Sequence, residues 1–297
     1  MDFLNIVIAG VSIGAIYSLM AFALILVWRS TRIVNFAQAG QAAFSTYVGL
    51  SIETATGNYW IALLAAVLSG VIIGAIVEVV IVRFIVKHST SAATAAVAPV
   101  IAMLGLLGIF QGLMGLIWGG EYQAYPTAFA REGLIIAGNQ IPFSPSDLFV
   151  LVVVVVAMSV AALVFQRTSL GLAMRAAAFA PEVTRLSGIR VSRIRTLGWA
   201  FAGGAGGLAG VLVAPSTFIA PNSFDLLLVF GFTAAVIGGL DSLIGGVLGG
   251  LALGIGLALV TGYLGGSFTF MTAFVLLIIV LLIRPQGILG ARGARRA

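Results

Sequence analysis

The chain has no cysteine, one histidine and one lysine, and only 8% of its 297 residues are charged. Each scarcity excludes something. Without cysteine there is neither a disulfide framework nor a cysteine-based metal site, and His88 alone cannot build a zinc site. The single lysine, Lys87, stands between Val86 and His88, so the Gly-Lys-Ser/Thr loop that cradles nucleotide phosphates is missing. No nucleophile–base pair and no paired carboxylates are present, which leaves catalysis without a foothold. A soluble domain carries about 25% charged residues. A chain that is 61% hydrophobic with so little charge has too few polar groups to cover itself in water.

Apolar sequence is what the chain has in abundance. Trp60 to Val77 and Leu148 to Phe165 each contain a single polar side chain. As helices rising about 1.5 Å per residue, such runs approach the roughly 30 Å of a bilayer core. The pattern predicts an all-α, polytopic transmembrane helical bundle. Spans are expected near 4–28, 33–52, 59–82, 94–118, 147–165, 196–214, 225–240, 243–262 and 267–283. Because 33–52 and 225–240 are short or glycine-rich, either could be broken or re-entrant, so 8–9 spans are expected. Asp2 occupies the place of a basic n-region and apolar sequence runs on to Trp28, so the first stretch reads as a retained span. No linker or low-complexity segment interrupts residues 1–297, which read as one transmembrane domain.

Charge sets the expected orientation. With the N-terminus out and the C-terminus in, fourteen of the fifteen basic residues fall on the cytoplasmic side and only Arg131 lies outside. Cytoplasmic loops carry such an excess, so the net charge of +6 indicates membrane topology and contact with anionic lipid, and no nucleic acid. The longest outer loop, 119–146, has room to fold over a pathway or meet a partner. Glu78, near the inner end of its span, is expected to snorkel toward Arg83 or Lys87. Asp241 is expected to cap the helix that follows it. Gly203 and Gly207, Gly206 and Gly210, Gly245 and Gly249, Gly246 and Gly250, and Gly250 and Gly254 repeat the i, i+4 spacing that lets helix backbones approach in lipid.

The charge is concentrated in the inner loop 167–195, which contains six arginines. Arg175 to Leu186 favours helix, Pro181 suits the first turn of a second short helix, and Gly188 suits a helix end. A bent or two-piece cytoplasmic helix is expected there. A positive-inside loop needs only a few charges, so this one also reads as a docking surface.

Glu182-Val183-Thr184-Arg185-Leu186-Ser187-Gly188 resembles the Glu-Ala-Ala, three residues, Gly motif of ABC importer permeases, with Val183 and Thr184 in place of the two alanines. Together with "VNFAQAG", "AAVIGGLDSLIGGVLGG" and "IRPQGILG", the chain resembles, nearly end to end, the permease of branched-chain amino-acid (leucine, isoleucine, valine) ABC importers. After Asn-Phe-Ala-Gln, "QAGQAAFSTYVGL" departs from the usual family sequence. The resemblance implies a multi-pass protein of the bacterial inner membrane. It also implies a second permease subunit in a heterodimer, two cytoplasmic ATPase subunits and a periplasmic substrate-binding protein. No cofactor is implied for this chain, since ATP is bound by the partners. The coupling segment 167–195 would seat on the ATPase through Arg175, Glu182, Arg185, Gly188, Arg190 and Arg193.

Inside the membrane, Asn35, Gln38 and Gln41 recur every three residues and form one polar stripe. They either hydrogen-bond between helices or line a translocation path for an amino-acid zwitterion. Gln111 is a further candidate. The reading is a permease subunit rather than an enzyme. A urea or short-chain amide permease, a secondary transporter and a passive channel are the alternatives. A secondary transporter would need an ion or proton site.

Overall fold

The computed structural model describes residues 3–88, 92–136, 139–140, 143–284 and 286–289. The expected tail arginines Arg292, Arg295 and Arg296 and the loop residue Pro142 lie outside the described residues.

Helices dominate because lipid offers no partner for a free backbone amide or carbonyl. They are α1 (Phe3–Thr31), α2 (Gln38–Thr56), α3 (Tyr59–Val77), a π-turn (Glu78–Val82), α4 (Arg83–His88), α5 (Ala92–Trp118), α6 (Pro145–Arg167), α7 (Ser169–Phe179), α8 (Pro181–Leu186), α9 (Val191–Thr217), α10 (Asp225–Gly238), α11 (Leu243–Tyr263) and α12 (Thr269–Ile283). The two-residue strands β1 (Ile135–Ile136) and β2 (Asn139–Gln140) pair antiparallel. Among the described residues, seven helical stretches are long and apolar enough to cross a membrane. The two expected spans outside that group are α2, which carries Gln38 and Gln41 but not Asn35 of the expected stripe, and α10, which is only 14 residues long. These are the two that the sequence marks as short or broken.

Side chains and turns explain where the helices start and stop. Arg32 has φ 59°, and the Asn35 carboxamide oxygen accepts from the Ala37 amide at 3.1 Å. The chain therefore turns through 33–37 and α2 begins only at Gln38. Gly57 ends α2 in the left-handed region at φ 64°, its amide donating to the Glu53 carbonyl, and Asn58 then caps α3 by accepting from the Trp60 and Ile61 amides. At the start of α11 the cap is Ser242, whose hydroxyl accepts from the Gly245 amide at 3.0 Å. This corrects the expectation for Asp241: the residue in the extended cap conformation is the one after it.

The chain divides into two compact units. In unit one (1–25, 127–158 and 229–297), α1 lies against α11 through Gly10 and Gly14 on one side and Gly250 and Gly254 on the other; a methyl added to any of the four would collide with the facing helix. Ser18 Oγ lies 2.8 Å from the carbonyls of both Gly14 and Val247. Glycines also pack α10 onto α11, at Gly238, Gly245 and Gly249. The segment after α12 returns to cap α10, with the Ile288 and Leu289 amides donating to the Ile237 and Gly238 carbonyls, which the helix itself leaves unpaired.

In unit two (26–126 and 159–228), α3 and α9 meet backbone to backbone. A side chain at Gly70 or Gly203 would strike the other's carbonyl, and one at Gly74 would strike the Trp199 carbonyl. Trp199 is fully buried, its indole N–H donating to Thr31 Oγ1. The outer face of α3 presents Ile61, Leu64, Leu68, Ile72 and Ile76, all exposed. A stripe of exposed aliphatics at helical spacing is what a lipid-facing helix requires.

Candidate functional site

Every residue singled out for coupling or for a pathway lies in unit two. The basic stretch folds as two short helices. Thr168 caps α7, and the chain bends at Ala180, where φ is −143° and ψ is 74°. α8 then runs Pro181–Leu186, with Pro in its first turn. Its end is closed by the Gly188 amide donating to the Arg185 carbonyl and the Ile189 amide donating to the Thr184 carbonyl. Gly188 has φ 82°, a conformation that costs a residue with a Cβ about 1–2 kcal/mol.

Only one face of α8 is held. Thr184 is buried, its hydroxyl donating to the Ala180 carbonyl at 2.8 Å. Glu182, Val183, Arg185, Leu186, Ser187, Gly188, Arg190 and Arg193 are exposed, while Arg175 on α7 is half-buried. Val183 and Leu186 are 62% and 88% exposed. The structure thus brings together an open apolar pair ringed by one acid and several arginines, on a six-residue helix. α9 starts at Val191, five residues earlier than the span expected from 196, so Arg193 and Arg195 ride on its first turn and a half.

The polar stripe is sealed inside the unit. Asn35, Gln38 and Gln41 expose 0%, 0% and 1% of their surface. Asn35 Nδ2 donates to Gln38 Oε1 at 2.9 Å and reaches Gln41 Oε1 at 3.3 Å. Gln38 Nε2 donates to the Ala202 carbonyl at 3.0 Å, close over Gly206, where any side chain would displace it. The Gln41 amide nitrogen is buried and has no hydrogen-bond partner among the described residues. Gln111 sits apart from these bonds. It donates to both carboxylate oxygens of Asp225, at 3.2 and 3.1 Å. Asp225 is the partner that sequence reasoning missed, because only the fold joins residues so far apart in the chain.

Glu78 is paired as the sequence suggests, but inside the protein. Its side chain has no exposed surface, and of the two expected partners it is Arg83 that pairs with it, at 3.0 Å, from a half-exposed position. In the loop 119–146, the buried Tyr125 phenol is pushed well above its usual range, chiefly by burial and further by Tyr59 and Glu53. In unit one, a cavity of 520 Å³ is lined by Asn5, Tyr17, Leu257, Thr261 and Thr269, among others. None of the residues predicted to line a pathway faces it.

Long apolar helices with buried polar side chains, joined to a charged two-piece helix with an exposed face, define the class as a polytopic membrane protein. The comparisons make this specific. Residues 6–283 match the model of the family described as branched-chain amino acid transport system / permease component. The chain belongs to that family. It is 29% identical to the high-affinity branched-chain amino acid transport system permease protein LivH of Salmonella typhimurium, over 97% of this chain and 96% of that one. It is 28% identical to the BraD protein of Pseudomonas aeruginosa over the same shares. It is also 28% identical to a probable LivH of Methanocaldococcus jannaschii, over 92% and 88%. Among solved structures, PsaBC from Streptococcus pneumoniae in complex with Fab matches with a TM-score of 0.52 at 15% identity, covering 96% of this chain and 93% of that one. That likeness speaks to the fold alone.

Proposed function

We propose that this chain is the permease subunit of an ATP-driven importer that carries branched-chain or related small amino acids inward across the cytoplasmic membrane. It sits with its N-terminus outside and its C-terminus inside. It pairs with a second permease subunit and receives substrate from a periplasmic binding protein. Two separate ATPase subunits bind and hydrolyse the ATP, so the chain itself needs no cofactor. The ATPase seats on the 167–195 segment, where Val183 and Leu186 supply apolar contact and Arg175, Glu182, Arg185, Arg190 and Arg193 fix register by charge, with Gly188 setting the turn. Exposed apolar anchors within a charged rim suit protein docking.

The observation that carries this reading is the open α8 helix, closed by a left-handed glycine and held by one face only, on a chain of this permease family. Asn35, Gln38 and Gln41 line the path at a point sealed in this conformation, with Gln111 at a second point. The unpartnered Gln41 amide is the donor left for a substrate carboxylate. The experiment is ATP-dependent uptake of radiolabelled leucine by proteoliposomes containing the chain assembled with its second permease and ATPase subunits, with the binding protein added. Glu182→Lys and Gly188→Leu are expected to abolish uptake while the protein remains inserted and folded. Normal uptake by both variants would sink the coupling assignment. Uptake that persists without ATP and collapses with the ion gradient would instead identify a secondary transporter, and uptake of urea in place of leucine would change the substrate class.

A further inference from the structure

Glu78 is a carboxylate with no exposed surface, two-thirds of the way along the apolar helical stretch Tyr59–His88. A lone carboxylate in such a place is strongly disfavoured unless it is paired and hydrogen-bonded. Here two side chains answer it. Arg83 Nε donates to both carboxylate oxygens, at 3.2 and 3.0 Å. Thr196 Oγ1 lies 2.7 Å from Glu78 Oε2 as donor. The same hydroxyl accepts from Arg83 Nη2 at 2.6 Å, and that nitrogen also reaches the Ser192 carbonyl at 3.3 Å. Ser192 and Thr196 lie in the first turns of α9, which begins directly after the 175–190 stretch.

The backbone is distorted to make this contact. On an α-helix, five residues at about 100° each would leave Glu78 and Arg83 roughly 140° apart. The π-turn Glu78–Val82, closed by the Arg83 amide donating to the Glu78 carbonyl, brings residues i and i+5 onto one side. The irregular turn therefore serves the pair that grips α9, in keeping with the concentration of π-turns at functional positions. Beyond this node, α3 and α9 touch through Gly70, Gly74 and Gly203 with no side chains between them. If the start of α9 is displaced, either its first turns bend or α3 moves with it. Tying residues 192 and 196 to 78 and 83 blocks the first route.

We infer that Glu78, Arg83 and Thr196 form a relay that makes the inner end of α3 follow the start of α9, delivering movement of the 175–190 stretch to a second span. Glu78 and Thr196 are positioning residues; neither meets substrate or nucleotide. The inference rests on the coupling role proposed above for that stretch.

The test compares ATP hydrolysis with leucine uptake in the same reconstituted complexes. Thr196→Val keeps the volume and the Glu78–Arg83 pair but removes the hydroxyl, leaving only the long 3.3 Å Arg83–Ser192 contact to join them to α9. Its expected result is hydrolysis within about twofold of the parent, with leucine carried per ATP down about tenfold, and recovery in Thr196→Ser. Should Thr196→Val assemble poorly, Glu78→Gln is read in its place, keeping an acceptor for Thr196 while losing the ion pair. Hydrolysis falling in step with uptake would mean a merely structural role and overturn the relay, as would unchanged transport per ATP. Glu182→Lys separates the two ideas. If it abolishes uptake while Thr196→Val is silent, only the relay falls. If Glu182→Lys transports normally, the coupling reading falls and the relay with it.

Discussion

Gly207→Ala isolates what the close approach of α3 and α9 is worth. An added methyl would sit 2.7 Å from the Ala66 carbonyl oxygen and 3.3 Å from Ser45 Cβ, about 0.7 Å inside ordinary contact with that oxygen. The obstacle is helix backbone and cannot rotate away, so the two helices must part. Overpacking of this kind costs about 1–3 kcal/mol. Alanine also gains about 0.5–1 kcal/mol over glycine in a helix interior, which partly offsets that cost. Gly112→Ala is the control, because nothing lies within 4 Å of a methyl at Gly112 on α5. The propensity gain is common to both variants, so their difference reports the collision alone: about 1–3 kcal/mol, or roughly 5- to 150-fold in the folding equilibrium. Unfolding in mixed micelles with rising dodecyl sulfate, followed by tryptophan fluorescence, measures it; Trp199 is buried at the same contact. Equal midpoints for the two variants, or a more stable Gly207→Ala, would refute the backbone-contact argument.

Two further substitutions probe the polar interior. Gln111→Leu leaves the Asp225 carboxylate without either amide bond; the same titration should show a loss of about 1–2 kcal/mol, recovered by adding Asp225→Asn. Gln41→Leu deletes an amide nitrogen that has no partner among the described residues and a long 3.3 Å contact from Asn35. Stability should therefore stay within about 1 kcal/mol, while leucine uptake drops sharply if the group meets substrate; unchanged uptake would remove Gln41 from the path.

Much of the helical layout was legible in the chain, for a reason specific to lipid. Each segment must satisfy its own backbone, so hydropathy alone marks where helices run. Thus α3, α6 and α11 fall within a few residues of the apolar runs that predict them. One local feature was legible too: Gly188 is left-handed at a helix end, a conformation that a Cβ makes costly. The shifts occur where side chains compete with hydropathy. Asn35 holds 33–37 out of α2, and α9 starts early enough to carry two arginines. The bent helix at 175–188 could be read from Pro181 and Gly188, but not which of its faces is held; the burial of Thr184 decided that.

The sequence by itself determined that this is a multi-helix membrane protein, roughly where its long apolar helices run, and that its charge gathers in the 167–195 segment. These follow from local backbone needs and from composition. Tertiary structure alone decided which glycines meet: Gly203 with Gly70, and Gly250 and Gly254 with α1. It also turned Glu78 inward to Arg83 and Thr196, and paired Gln111 with Asp225. A polar or small residue in lipid declares that it needs a neighbour, but the neighbour is set by packing between distant segments, and periodicity along one helix carries no record of it.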